Sequence, residues 1–254
     1  MVAEAERPSG EAPSPYELFA PYYDAIYSQR GKDYEHEAEE IASLIRARNP
    51  RARTLLDVGC GTGAHLEHLS RTFATTGLDP SPAMLAVARK RLPEVLLLQG
   101  ESSSPDMGGE YDAIICLFSS VAYNRTLERL DDSLMNLAAH LRPGGVLIVD
   151  AWFAPDEWKP GYVAVDMSPL EGGGRVVRVN HSGEEDGCSV LSWHFVVATP
   201  SEGIRWFEER HLLGLFNRSE YVEALHRAGL RVEVLDKGAE DRDRIVAIRP
   251  TQTP

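Results

Sequence analysis

The chain has no surplus of positive charge, no long apolar stretch and little cysteine, and each lack removes a class of function. Lys plus Arg number 26 against 39 Asp plus Glu, a formal net charge of −13 over 254 residues. Nothing in that balance draws the protein to nucleic acid or to an anionic membrane surface, so no nucleic-acid or membrane partner is expected. A small, individually recognised substrate is the better expectation. No apolar run approaches the roughly 18 residues that would suggest a membrane span. The start, Met1 to Arg7, has neither the basic nor the apolar region of a secretory leader, which predicts a cytoplasmic protein. The three cysteines, Cys60, Cys116 and Cys188, lack metal-ligand spacing and read as reduced, small apolar fillers. No metal site is expected, and there is no Gly-Lys-Ser/Thr of a nucleoside-triphosphate loop.

What is present is organised around residues 54–63. Thr54, Leu55, Leu56 and Val58 form a short apolar, β-branched run, the pattern of a parallel strand covered on both faces, and it leads straight into Gly59, Gly61 and Gly63. Glycines there permit positive φ and let main chain approach a ligand closely. The spacing G-x-G-x-G, followed by Ala64, leaves dinucleotide binding open. Asp57 tips the balance: an acid at the strand end suits a ligand carrying an ammonium group and would repel a pyrophosphate. Asp79 falls at the tip of the next strand, about twenty residues after the turn, where a carboxylate can accept both hydroxyls of a ribose; this serves NAD and S-adenosylmethionine alike.

The rest of the chain alternates. Residues 1–15, rich in Pro, Glu, Ala and Ser, read as a mobile tail, and 16–254 as a single domain with 43% hydrophobic content over the whole chain. Five of the nine tyrosines lie between Tyr16 and Tyr34. Phe19 and Tyr23 read as packing residues. Tyr16, Tyr22 and Tyr34 read as a lid whose rings and hydroxyls meet a cation and an amine. Helices are expected over 33–48, 64–73 and 126–141, and one capped by Ser81 with Pro82 in its first turn. His65 and His68, flanking the apolar stripe of the second, read as solvated. The strand ending at Phe118 empties into Ser119, Ser120 and Tyr123, with Leu117 bordering the ligand. After Asp150 the alternation stops, and short β-rich runs at 176–179, 190–198 and 204–215 predict an antiparallel insertion at about 152–215. A helix over 219–228 and strands near 231–235 and 244–248 then resume the main sheet. The overall expectation is an α/β, Rossmann-like sheet with helices on both faces and a small inserted antiparallel β region.

The run Leu56 to Gly63 resembles motif I of the class I S-adenosylmethionine-dependent methyltransferases. The resemblance implies S-adenosyl-L-methionine as cofactor, with Pro80 and Met84 bordering the adenine and Glu101 beside its amino group. Further features point to one branch: residues 31–34, the Phe118-Ser119-Ser120 run, Trp152 with residues 160–163, residues 178–182, and residues 213–216. In these features the chain resembles the bacterial N,N-dimethyltransferases acting on dTDP-amino-dideoxyhexoses in antibiotic sugar biosynthesis. That likeness implies a dTDP-linked aminosugar as acceptor and a homodimer. The chain departs from the family in having Trp152-Phe153 for a tryptophan pair, and acids around Arg242. A nucleotide sugar brings phosphate charge toward an acidic protein, so local cations are needed. Arg178 is the first choice and Arg242 the second, with Ser119, Ser120 and Trp152 completing the substrate set; Arg175 could substitute for either. Rival readings are a methyltransferase for another small amine or hydroxyl acceptor, a cofactor-binding regulatory protein, and an NAD-dependent reductase. No Ser-His-Asp or Cys-His set is evident, so placement should outrank proton transfer, with Tyr16, Tyr123 and His181 as the orienting catalytic groups.

Overall fold

The computed structural model describes residues 15–235 and 242–251. The expected mobile tail therefore lies, Pro15 apart, outside the described residues, as do Glu240 and Asp241. Five parallel strands form most of the main sheet: β1 (Thr54–Val58), β2 (Ala74–Asp79), β3 (Leu96–Gln99), β4 (Tyr111–Cys116) and β5 (Leu141–Asp150). With β10 (Arg231–Leu235) and β11 (Arg244–Ile248) the order is β10-β11-β5-β4-β1-β2-β3, β11 running antiparallel to both its neighbours. Strand order reverses between β1 and β4, and a ligand crevice opens at the carboxyl ends of such a pair.

Adjacent residues of β1 serve opposite faces, which is why its sequence is an unbroken apolar run. Leu56 and Val58 pack with Ile114, Leu147 and the helices α5 (Leu127–Ala139) and α6 (Arg218–Arg227). Leu55 packs with Ile115, Ile148 and the helices α2 (Tyr34–Arg48), α3 (Ala64–Leu69) and α4 (Pro82–Arg91). Caps agree with these bounds: Asp33 accepts from His36 N, Ser81 from Met84 N, and Thr126 from Arg129 N. Helix α3 stops four residues short of the expected end, where the chain tightens into i→i−3 turns, Arg71 N donating to His68 O and Thr72 N to Leu69 O, before β2 begins at Ala74.

The insertion is a second sheet, an antiparallel meander of β6 (Val163–Pro169), β7 (Arg175–Glu185), β8 (Cys188–Thr199) and β9 (Gly203–Gly214). Its strands are longer than the apolar runs foretold, because inward positions beyond those runs, such as Ser182 and Ser189, are polar and buried. The inner face of this sheet receives the N-terminal segment: Phe19, Tyr22, Ile26 and Tyr27 pack with Trp193, Phe195, Val197 and Leu213. That segment, which includes α1 (Tyr23–Gln29), is tied on both sides. Ser168 Oγ donates to Ala25 O at 2.8 Å, while Asp24 accepts from Thr62 and from Arg91, each at 2.7 Å. Segment and sheet together roof the crevice.

Candidate active site

Under this roof lies a cavity of about 810 Å³, bounded by the glycine turn, the ends of β2 and β4 and the N-terminal segment. Gly59 N and Cys60 N both donate to Leu78 O, at 2.7 and 3.1 Å, so the turn folds across the tip of β2. Gly59 has φ 76°, and a Cβ there would stand 2.6 Å from the Ser120 side chain; Gly61, φ 56°, faces open space. A side chain at either position would be strained, and at Gly59 it would also have no room. Gly63 serves packing instead, since its Cβ would meet Leu92 at 2.8 Å and it does not line the cavity. Asp79 sits in the wall with Oδ2 accepting from Gly61 N and Oδ1 from Ser81 N, both at 2.8 Å. Its second lone pairs remain for a diol. Pro80, Met84, Glu101, Leu117 and Ser120 line the same cavity.

The electrostatics suit a cationic, adenosine-bearing ligand. Burial, and then Asp79, push the Asp57 carboxyl up to about 8. Burial raises Asp79 to about 6 against the opposing pull of the Ser81 and Gly61 amides. Two acids in one wall with raised values form a site in want of positive charge. At the same end Tyr34 OH is buried without a hydrogen-bond partner among the described residues, although Tyr34 lines the cavity. Lys32 Nζ, missed in the sequence as a site residue, donates to both Glu37 oxygens at 2.9 Å and lies 4.1 Å over the Phe118 ring. His65 closes this cluster by bonding Glu37 at 2.8 Å, so it is not the solvated histidine expected. Burial disfavours a charged Glu37, yet His65 and Lys32 hold it down at about 2. These groups fit S-adenosylmethionine: Asp57 for the ammonium, Lys32 and Tyr34 for a carboxylate, Asp79 for the ribose.

The acceptor end is aromatic and linked by hydrogen bonds. Tyr16 OH and Tyr123 OH are 2.6 Å apart, and Tyr123 OH is 2.8 Å from His211 Nδ1. His211 Nε2 is in turn 3.3 Å from Glu209 Oε2, close enough for ionic attraction but not aligned as a hydrogen bond. Tyr16, Tyr23 and Tyr123 line the cavity. Glu209 was not foreseen; its i, i+2 spacing to His211 on one strand, which puts an acid and a histidine on the same face, was the available signal.

Several foreseen residues stand elsewhere. Tyr22 is buried against Phe207 and bonded by Arg205, and its neighbour Tyr23 takes the cavity position instead, because α1 begins there and turns successive side chains apart. Arg178 is 2% exposed, paired with Asp166 at 2.6 Å and 4.7 Å over Trp193. The alternation of β7 aims it into the roof, and it does not line the cavity. The same alternation puts His181 on the exposed outer face, paired in register with Val163 and Ser192. Ser119 is buried, donating to Ala151 O at 2.6 Å. Trp152 donates to Ser189 Oγ and borders a smaller cleft of about 320 Å³ with Asp156, Glu157 and Arg218. Arg242 stacks 4.4 Å over Trp152 and donates to Ser119 Oγ at 3.1 Å.

A sheet in this order, with a glycine turn between two acids and a cavity at its switch point, defines a class I S-adenosylmethionine-dependent methyltransferase, and a family model described as "Methyltransferase domain" matches residues 55–145. The dTDP-3-amino-3,4,6-trideoxy-alpha-D-glucopyranose N,N-dimethyltransferase of Streptomyces venezuelae is 44% identical over 230 residues, 90% of this chain and 97% of that one. The chain belongs to the family of dTDP-aminosugar N,N-dimethyltransferases, and is an S-adenosylmethionine-dependent N-methyltransferase. The dTDP-4-amino-2,3,4,6-tetradeoxy-D-glucose N,N-dimethyltransferase of Saccharopolyspora spinosa is 42% identical over 232 residues, 91% of this chain and 92% of that one. The crystal structure of S. venezuelae DesVI has a TM-score of 0.86 to this chain at 44% identity, covering 91% of it and 98% of DesVI. S-adenosylmethionine-bound CalS10, an amino pentose methyltransferase from Micromonospora echinaspora, has a TM-score of 0.80 at 39% identity, covering 89% and 96%. Among the described residues no helix is long and apolar enough to cross a membrane.

Proposed function

We propose that this enzyme acts in the cytoplasm as a homodimer, dimethylating the amino group of a dTDP-linked aminodeoxy sugar by direct in-line transfer. The observation that carries the reading is the cavity itself, whose two ends differ in chemistry: two raised acids with Lys32 and Tyr34 at one, and the paired hydroxyls of Tyr16 and Tyr123 at the other. Relatives from three bacteria, each named as an N,N-dimethyltransferase of a dTDP-amino sugar, support the acceptor class.

Bound, S-adenosylmethionine supplies an electrophilic methyl group, and its sulfur keeps the electron pair of the broken C–S bond. The chain's own task is to bring in a neutral amine with its lone pair aimed along that bond, which can lower the barrier by roughly 7 to 11 kcal/mol. Tyr16 and Tyr123 orient the amine. Burial keeps both phenols protonated, so neither is a strong base. Asp57 and Tyr34 hold the methionyl end, Asp79 the ribose, and Glu101, Pro80 and Met84 the adenine. Arg242, on its aromatic stack, takes the nucleotide phosphates in place of the buried Arg178. Purified enzyme with S-adenosylmethionine should methylate dTDP-3-amino- or dTDP-4-aminohexoses twice and leave simple amines untouched. Preference for a free amine removes the nucleotide reading.

A further inference from the structure

We propose that Glu209 and His211 are positioning residues that set the direction of a hydrogen-bond chain, so that Tyr16 turns an acceptor oxygen rather than a proton toward the incoming amine. The inference rests on the amine reading above. Glu209 is 4% exposed, and its carboxylate accepts from Tyr16 N at 3.0 Å, Leu18 N at 3.1 Å and Phe19 N at 3.0 Å. It thereby holds the turn that carries Tyr16, whose backbone is left-handed at φ 66°. The His211 ring is fully buried, 4.1 Å from Trp193 and 4.7 Å from Tyr16 between ring centroids. A carboxylate oxygen 3.3 Å from Nε2, though off the line of a hydrogen bond, attracts a ring N–H and repels a bare lone pair, so Nε2 carries the hydrogen.

The rest follows by counting protons. A neutral imidazole with hydrogen on Nε2 has only a lone pair at Nδ1, so Tyr123 must donate to it across the 2.8 Å contact. Tyr123 has one proton and has spent it, so Tyr16 donates to Tyr123 at 2.6 Å. Tyr16 then meets the cavity with lone pairs alone. Primary and secondary amines each have an N–H to give it while their own lone pair stays free for the methyl group. A tertiary amine has none. The polarity thus supports two transfers and withholds help from a third. Reversed, it would aim the Tyr16 proton at the electrons that must attack.

Two measurements test this. Ring-nitrogen NMR of histidine-labelled wild-type protein at neutral pH, with His211 assigned through its contacts to the Trp193 ring, should show a neutral imidazole protonated at Nε2. The Nδ1–H tautomer, or an imidazolium, overturns the proposal, and neither result needs a substrate. In kinetics, His211→Phe should lower kcat for the dTDP-aminosugar about tenfold, with its KM and the affinity for S-adenosylhomocysteine within about threefold. His211→Asn, which places an oxygen near the Nδ1 position, should recover most of that loss. Wild-type kcat in the phenylalanine variant, or no recovery in an asparagine variant that still binds both ligands, refutes the positioning role. Failure of the wild-type enzyme to turn over any aminosugar would instead sink the acceptor reading and leave the NMR result standing.

Discussion

Asp57 is where burial and function meet most directly. Held up at about 8 by burial and by Asp79, it is mostly protonated at neutral pH before any ligand arrives. An ammonium group beside it favours the ionised form, so binding must expel a proton. Calorimetry with S-adenosylhomocysteine in buffers of different ionisation heat should show release approaching one proton per site near neutral pH, roughly as linkage requires. Affinity should climb with pH through the neutral range and level off above about 8. Asp57→Asn should abolish both effects; a pH-independent wild type would mean the ammonium lies elsewhere. Asp79 is a separate case, because both its oxygens also hold the turn through Gly61 N and Ser81 N. Asp79→Ala should weaken S-adenosylhomocysteine on the order of 2 to 3 kcal/mol, and an unchanged affinity removes Asp79 from the site.

At the scale of elements, legibility followed the regularity of the burial pattern. Strand β1, helix α2 and the Ser81 cap of α4 were readable because apolar spacing and capping residues pointed the same way. The second sheet was harder. Arg178 and Ser182 occupy inward positions of β7, where tertiary partners, Asp166 for one and Lys159 O for the other, compensate polarity that a period-two reading treats as outward. Tyr22 and Tyr23 were assigned the wrong way round with respect to the cavity because they are adjacent aromatics at the start of α1, and only the helix phase decides which one faces it. We propose that Arg178 serves stability rather than the substrate. Arg178→Met leaves Asp166 to Arg30 at 3.9 Å and removes the stack on Trp193, and should cost about 3 kcal/mol. Thermal unfolding should fall while KM for the sugar holds in enzyme that remains folded. A raised KM with unchanged stability would return Arg178 to the substrate site.

For the whole molecule, the outer face of the second sheet is the conspicuous surface. Val163, Val165, Met167, Val179, Val196, Ile204 and Trp206 are all exposed large apolar residues, Ile204 at 77% and Trp206 at 56%. In register, Val165 pairs with Val179, Val196 with Trp206, and Ala198 with Ile204, so they share one face. A contiguous apolar face of this kind marks an interaction surface, and a second copy of the chain is the proposed occupant. Light scattering should give a dimer mass at micromolar concentration, and Trp206→Asp should shift it to monomer without loss of cofactor affinity. A wild-type monomer ends the dimer proposal.

The N-terminal segment covers the cavity as part of its roof, tied to the glycine turn through Asp24 and to the second sheet through Ser168 and Glu209. Two methylations consume two cofactors, so the spent one must leave between them, and the segment that covers it also carries Tyr16 over the acceptor. Opening that segment would uncover both ligands at once. The half-finished sugar is then free to depart at each exchange, and the enzyme should work distributively. In a time course the monomethylamine should accumulate in solution to a sizeable fraction of the sugar before the dimethyl product overtakes it, and an excess of unlabelled monomethyl sugar should dilute label from the second step. A chain that kept the acceptor end covered while the cofactor exchanged could hold its substrate through both rounds; a segment that covers both ends would release it when it opens.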